Sequence, residues 1–341
     1  MPITSDIILD ATRFSPDSVS EATLNANSLL ESLTTKGPRW HQVGAEKYRQ
    51  MRATGETALP PPIYLPLAKD ATIPSRDGPD RTIPVRVYEP EDGHASRGIF
   101  LHIHGGGFVL ASEKDQDATL NRYANTTHLT AISIGYRLAP EHPYPAALDD
   151  CTDVASYLVD HGLPSFSLAP QSPLIISGES AGGCLAVQTC LFLLRTRTNK
   201  QQLIRGLVLP FGQFDLTLTL PSISKSVRPL LINHAIMAEF REAYAPGMSL
   251  EMLQRPEVSP LYEDLMSFRE LLPPALFMVG TEDPLLDDTL LMSAKWMSTG
   301  AETAVKVWPG ASHGFTAFEG DRNGIEAREM GLEFVGRVLG D

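Results

Sequence analysis

The stretch Leu174-Ile175-Ile176-Ser177-Gly178-Glu179-Ser180-Ala181-Gly182-Gly183 decides the fold. An apolar run ends in a Gly-Glu-Ser-Ala-Gly turn, and an apolar helical pattern follows at once. Strand, sharp turn and helix in that order are the setting in which G-x-S-x-G works as a nucleophile elbow. The turn pushes the serine hydroxyl clear of the backbone, in a conformation that only small neighbours tolerate. Gly178 and Gly182 therefore flank Ser180. The helix starts beside that hydroxyl, so its first amides and positive end face any oxyanion formed there. A Gly-rich turn with Ser180 as helix cap is the competing reading.

Outward from the elbow, short apolar runs alternate with helical patterns. Strands are expected at residues 81–88, 98–104, 130–136, 174–177, 206–210, 275–279 and 304–308, and helices at 118–127, 146–161, 180–195, 287–298 and 324–338. Runs such as LIIS and ALFMVG suit strands buried on both faces. The alternation implies an α/β fold with a mainly parallel central sheet flanked by helices. Residues 1–60 carry helical patterns at 19–33 and 40–52 and end at Pro60-Pro61-Pro62, which marks a linker to a hydrolase domain at 61–341. The interval at about 216–266 breaks the rhythm, with several prolines and a helical piece at 232–244. It reads as an insertion that, with the N-terminal segment, caps the carboxyl edge of the sheet, where open α/β sheets bind ligands.

His104-Gly105-Gly106-Gly107 follows directly on the strand Ile99-Phe100-Leu101-His102-Ile103. Consecutive glycines are entropically costly and are kept where backbone must approach something closely. Gly106 and Gly107, joined by Ala181, are the candidate oxyanion donors. No lysine follows to meet a phosphate, and no helix-opening G-x-G-x-x-G is present, so nucleotide binding is set aside. His102 and His104 share a strand face, but no acidic or cysteine partner lies nearby in sequence, and a structural role is expected rather than a metal site.

Two later strands end in chemically loaded loops. One leads to Thr281-Glu282-Asp283-Pro284-Leu285-Leu286-Asp287-Asp288, the other to Pro309-Gly310-Ala311-Ser312-His313. In this strand–elbow–helix plan the acid and the histidine follow the serine in that order. Of nine histidines only His313 lies beyond the acid cluster. Asp283 is preferred as its partner because it precedes the rigid Pro284, while Glu282, Asp287 and Asp288 stay open.

Composition excludes other classes. The chain has 341 residues, 43% hydrophobic and 20% charged, with a net charge of −13 from 41 acidic and 28 basic side chains. Such a surface repels nucleic acid and anionic lipid, so neither is an expected partner. Three cysteines without paired spacing argue against a disulfide framework. The N-terminus shows no secretory pattern and no stretch is long enough to span a bilayer, which makes a cytoplasmic protein the expectation.

Taken in order, HGGG (His104 to Gly107), GESAGG (Gly178 to Gly183), the DPLLDD run and His313-Gly314-Phe315 resemble the hormone-sensitive-lipase-like branch of the α/β-hydrolases. The loop from Tyr136 to Asp150 fits the same branch, and the resemblance spans about residues 81 to 339. It implies Ser180, Asp283 and His313 as catalytic triad and Gly106, Gly107 and Ala181 as oxyanion donors. It also implies an esterase acting on short or medium acyl chains, no cofactor and a helical cap. Glu179 stands where the branch often has Asp, and Leu286 where it often has a basic residue. The partner expected is a small-molecule ester, with a homodimer left open. Hydrolysis of an amide, lactone or acetyl ester, acyl transfer or elimination on a specialised metabolite would use the same triad. A non-catalytic ligand receptor is a further alternative. Met237, Phe211, Phe214, Met248 and Phe315 are candidate pocket side chains.

Overall fold

A computed structural model describes residues 8–91, 93–197, 203–318 and 320–340. The N-terminal part holds α1 (Glu21–Thr34), α2 (Trp40–Val43) and α3 (Ala45–Thr54). After it come β1 (Lys69–Pro74), β2 (Thr82–Tyr88), β3 (Ile99–Ile103), α4 (Asp117–Thr127), β4 (Thr130–Ile134) and α5 (Ala146–His161). The elbow region is β5 (Leu174–Gly178), α6 (Ala181–Thr196) and β6 (Ile204–Pro210). The interruption holds the short α7 (Pro221–Ser224), α8 (His234–Tyr244) and the short α9 (Leu250–Leu253). The chain closes with β7 (Ala275–Gly280), α10 (Leu286–Ser298), β8 (Thr303–Trp308) and α11 (Arg322–Leu339).

The strands form one sheet in the order β1-β2-β4-β3-β5-β6-β7-β8. Pairing is parallel from β4 through β8, and β2 runs antiparallel to both neighbours. All five residues of β3 and of β5 are buried, as expected for central strands covered on both faces. Alternate side chains feed two cores. Leu101 and Ile176 pack with Cys151, Leu158, Leu185 and Trp296 under α5, α6 and α10. Phe100, Ile175 and Val208 pack with Tyr123, Ala327 and Phe334 under α4 and α11.

Two expectations need correcting. The sheet has an eighth strand, β1, which the apolar pattern misses because Lys69–Pro74 is an edge strand with one fully buried residue, Ile73. The helix expected at 40–52 is two helices, because Gly44 adopts φ 92° and breaks the chain between α2 and α3. Residues 60–68 carry no helix or strand. Among the described residues, no helix is long and apolar enough to cross a membrane.

Parallel strands deliver their following loops to one edge. The His104 loop follows β3, Ser180 follows β5, Asp283 follows β7 and His313 follows β8. All four lie at carboxyl ends of strands, the usual ligand edge of such a sheet.

Candidate active site

Ser180 has φ 56° and ψ −122°, a region that costs a non-glycine residue about 1–3 kcal/mol and that the surroundings must impose. They do so by close packing. A Cβ on Gly182 would meet the His104 carbonyl oxygen at 2.6 Å, so only glycine lets α6 approach β3 this closely. Gly182 N–H donates to Glu179 O (2.8 Å) and Gln213 N–H to Ser180 O (3.0 Å), which fixes the turn from both sides.

The three distant side chains converge. Ser180 Oγ lies 2.9 Å from His313 Nε2, and His313 Nδ1 lies 2.9 Å and 3.1 Å from the two Asp283 carboxylate oxygens. A carboxylate only accepts, so Nδ1 carries the proton and Nε2 is left to accept from the Ser180 hydroxyl. Asp283 Oδ1 also accepts from Leu285 N–H at 2.8 Å. Ser180, Asp283 and His313 are 9%, 2% and 3% exposed, so little water competes for these bonds. An imidazole held in this tautomer can take a proton from the hydroxyl and return it to a leaving group.

The other acids at 282–288 go elsewhere. Glu282 is half exposed and pairs with Arg228 at 3.5 Å. Asp287 accepts from Ser222 N–H (2.8 Å). Asp288 Oδ1 accepts from the amides of Phe214 (2.6 Å) and Asp215 (2.8 Å), while Oδ2 is buried without a partner. Burial, opposed by those two amides, drives the Asp288 pKa well above the usual carboxylate range.

The glycine loop is built around Glu179. Its Oε1 accepts from Gly105 N–H and its Oε2 lies against His102 Nε2, both at 2.9 Å, and His102 Nδ1 meets Ser133 Oγ at 2.9 Å. Burial pushes the Glu179 pKa up, but the His102 ring and the bonds from His102 and Gly105 outweigh it and leave the carboxyl below its ordinary value. His104 stacks on Tyr136 (4.1 Å between centroids), and burial lowers its pKa to about 4, so the ring is neutral near pH 7. Tyr136 O–H donates to His104 O at 2.8 Å. The N–H groups of Gly106, Gly107 and Ala181 donate to no other described group. Donors left free beside a serine hydroxyl are what a developing oxyanion needs.

A model of the α/β hydrolase fold matches residues 100–317. The chain belongs to the α/β-hydrolase family, in its hormone-sensitive-lipase-like branch. An esterase of Acinetobacter venetianus is 32% identical over 254 residues, 70% of this chain and 75% of that protein. An ethyl acetate hydrolase of Pseudomonas putida is 29% identical over 274 residues, 79% and 81% of the two chains. The hyperthermophilic esterase from the archaeon Pyrobaculum calidifontis superposes with a TM-score of 0.75 at 27% identity, covering 95% of this chain and 98% of that one.

Of the pocket side chains expected in this α/β-hydrolase, Phe211 sets its ring edge on His313 (4.9 Å) and Phe315 packs on Phe211 (5.7 Å). Phe214 instead packs in the core beside Phe277, and Met237 is buried in the same core. Met248 lines a separate cleft of about 560 Å³ with Tyr144, Met252 and Val258 that contains no triad residue.

Sequence reasoning missed several contributors. Glu179 stood out only as a departure from Asp, and its two anchoring bonds are visible only once β3 and β5 are side by side. Buried Asn27 of α1 donates to Gly310 O (2.8 Å), while Gly310 N–H donates to Thr281 Oγ1 (2.7 Å), so the loops bearing His313 and Asp283 are spliced together and tied to the N-terminal segment. Phe240 of α8 lies on Gly107. Nothing local in the sequence marks Asn27 or Phe240.

Proposed function

We propose that this α/β-hydrolase is a serine carboxylesterase acting on short- to medium-chain carboxylic esters of small molecules. The hydrogen-bonded chain Ser180–His313–Asp283, with three free amides at its serine end, carries this reading. As His313 Nε2 removes its proton, Ser180 Oγ attacks the ester carbonyl, whose oxygen becomes an oxyanion held by the amides of Gly106, Gly107 and Ala181. Collapse of that intermediate expels the alcohol, which takes the proton from His313. Water, deprotonated by His313, then attacks the acyl-serine; the acyl–Oγ bond breaks, His313 returns the proton to Ser180 Oγ, and the carboxylic acid is released. Asp283 holds the imidazole tautomer and stabilises the imidazolium. His104, Gly105, Gly178 and Gly182 shape the two loops. The relatives described as an esterase and an ethyl acetate hydrolase support the reaction class. Three buried, unpaired cysteines support a cytoplasmic setting.

The N-terminal segment and the interruption at about 216–266 are proposed to form the cap. Contacts support this: Trp40 of α2 stacks on Phe240 of α8 (5.4 Å), and Tyr244 of α8 stacks on Phe108 next to the glycine loop (3.8 Å). The test is turnover of p-nitrophenyl esters of graded acyl length by the wild type and by Ser180→Ala. Turnover abolished in the variant is expected. Equal rates in both, or no turnover by folded wild type, would overturn the reading.

A further inference from the structure

The two parts of the chain outside the α/β core meet on the glycine loop. An ideal Cβ on Gly107 would lie 2.5 Å from Cδ1 and 2.7 Å from Cδ2 of Phe240, so the ring rests directly on the Gly107 backbone. Phe240 in turn is stacked face to face on Trp40, with 14° between the planes. Phe240 is 8% exposed and Trp40 9%, so the pair is sealed between α2, α8 and the loop and has little room to swing aside. One turn on, Tyr244 stacks on Phe108, so the same face of α8 is fastened at two successive points.

The chemistry decides which part of a substrate meets this wall. The leaving alcohol must face His313 Nε2 to receive its proton, and that side is bounded by Phe211 on His313 and by Leu231 beside Gly314. The carbonyl oxygen occupies the hole itself. The acyl group takes the remaining side of the tetrahedral carbon, along the loop where Phe240 sits. We propose that Phe240, backed by Trp40, is the end wall of the acyl pocket and restricts this enzyme to short acyl groups. The proposal rests on the serine esterase reading above and narrows its substrate class. Each methylene that fits or fails to fit an apolar pocket shifts discrimination by roughly 10-fold or more, so one ring can set a sharp limit.

The test reads Ser180 directly with p-nitrophenyl alkylphosphonates carrying a methyl or an octyl group on phosphorus. Ser180 Oγ bonds to phosphorus, p-nitrophenolate departs and is counted by absorbance, and the serine proton passes to His313. With wild type, the methyl reagent is expected to react at least about 10-fold faster than the octyl one. In Phe240→Ala that ratio falls about 10-fold or more, whatever the change in the two absolute rates. Trp40→Ala, which removes only the backing, gives a smaller fall in the ratio. Phe240→Leu, with thermal melting of every variant, guards against simple misfolding. A folded Phe240→Ala whose methyl-to-octyl ratio equals that of wild type overturns the wall and leaves the esterase standing. Failure of both reagents to modify Ser180 in folded wild type overturns the esterase reading and the wall together, and equal rates of the two in wild type overturn the wall alone.

Discussion

Replacing Glu179 by Gln should lower kcat about 10-fold with little change in KM, although the side chain touches no substrate atom. In the wild type one carboxylate serves β3 and the loop that follows it, Gly105 N–H on Oε1 and His102 on Oε2, each at 2.9 Å, with Gln116 Nε2 also donating to Oε1 at 3.4 Å. The Gln amide is nearly isosteric but offers a single oxygen. With its oxygen on Gly105 its NH2 group faces His102 Nε2, which must then give up its proton to become an acceptor; with its oxygen turned to His102, its NH2 group faces Gly105 N–H. A hydrogen bond to a charged group contributes about 1.5–3 kcal/mol, and the one surrendered leaves a buried donor unpaired. If Gly105 loses its anchor, the next peptides along the loop carry the displacement to Gly106 and Gly107. Complete loss of one oxyanion donor costs about 100- to 1000-fold in kcat, which sets the ceiling. A donor displaced rather than deleted should forfeit about half of that free energy, or roughly 10- to 30-fold, and the lower figure applies to a small displacement. Steady-state kinetics on p-nitrophenyl butyrate, with a melting curve for each protein, separates the outcomes. Reasoning by way of the loop is refuted if Glu179→Gln melts several degrees lower but keeps kcat within about 2-fold of wild type, since a purely structural bond costs stability alone.

Three further outcomes follow from the same geometry. Asp283→Asn should cut kcat by about 10,000-fold while leaving the fold intact, because an amide at that position can donate to Nδ1 and so favours the wrong imidazole tautomer; circular dichroism and turnover together check this. Asn27→Ala removes the bond to Gly310 O and leaves that carbonyl buried and unpaired, at about 1–3 kcal/mol of stability, and kcat should fall several-fold because Gly310 splices the loops of His313 and Asp283. Unchanged kcat in a destabilised Asn27→Ala protein would confine α1 to a structural role. Asp288→Asn tests the buried acid: a carboxyl whose folded pKa is raised favours the native state at acid pH, and that advantage is lost as pH rises through the raised value. Asn can keep Oδ1 accepting from Phe214 and Asp215 without ionising, so the variant's melting temperature relative to wild type should rise from pH 5 to pH 8. A difference independent of pH would show that Asp288 is ionised throughout.

What could be read from sequence divides by the distance over which information travels. The elbow is legible because one short segment contains everything that makes it: an apolar strand, Gly178 and Gly182, and a helix with no polar break. His313 is legible by order, being alone among the histidines after the acid cluster. Its partner was less so. Glu282, Asp283, Asp287 and Asp288 are chemically equivalent on paper, and only the register of β7 against β8, from Ala275↔Thr303 to Gly280↔Trp308, fixes which carboxylate reaches the ring. β1 escaped because an edge strand need bury only one face. Trp40 and Phe240 escaped for a deeper reason. They lie in segments without a strand rhythm, two hundred residues apart, and each alone looks like an ordinary core aromatic; their meaning comes from Trp40 stacking on a ring that rests on one glycine. Chemistry in this protein is therefore encoded locally, at loops that the parallel sheet must deliver to one edge whatever surrounds it. Selectivity is encoded in contacts between parts that the sheet does not constrain. Substitutions at Phe240 and Trp40 should accordingly change which esters are accepted while leaving the mechanism alone, and substitutions at Glu179 or Asn27 should change the rate on every ester alike.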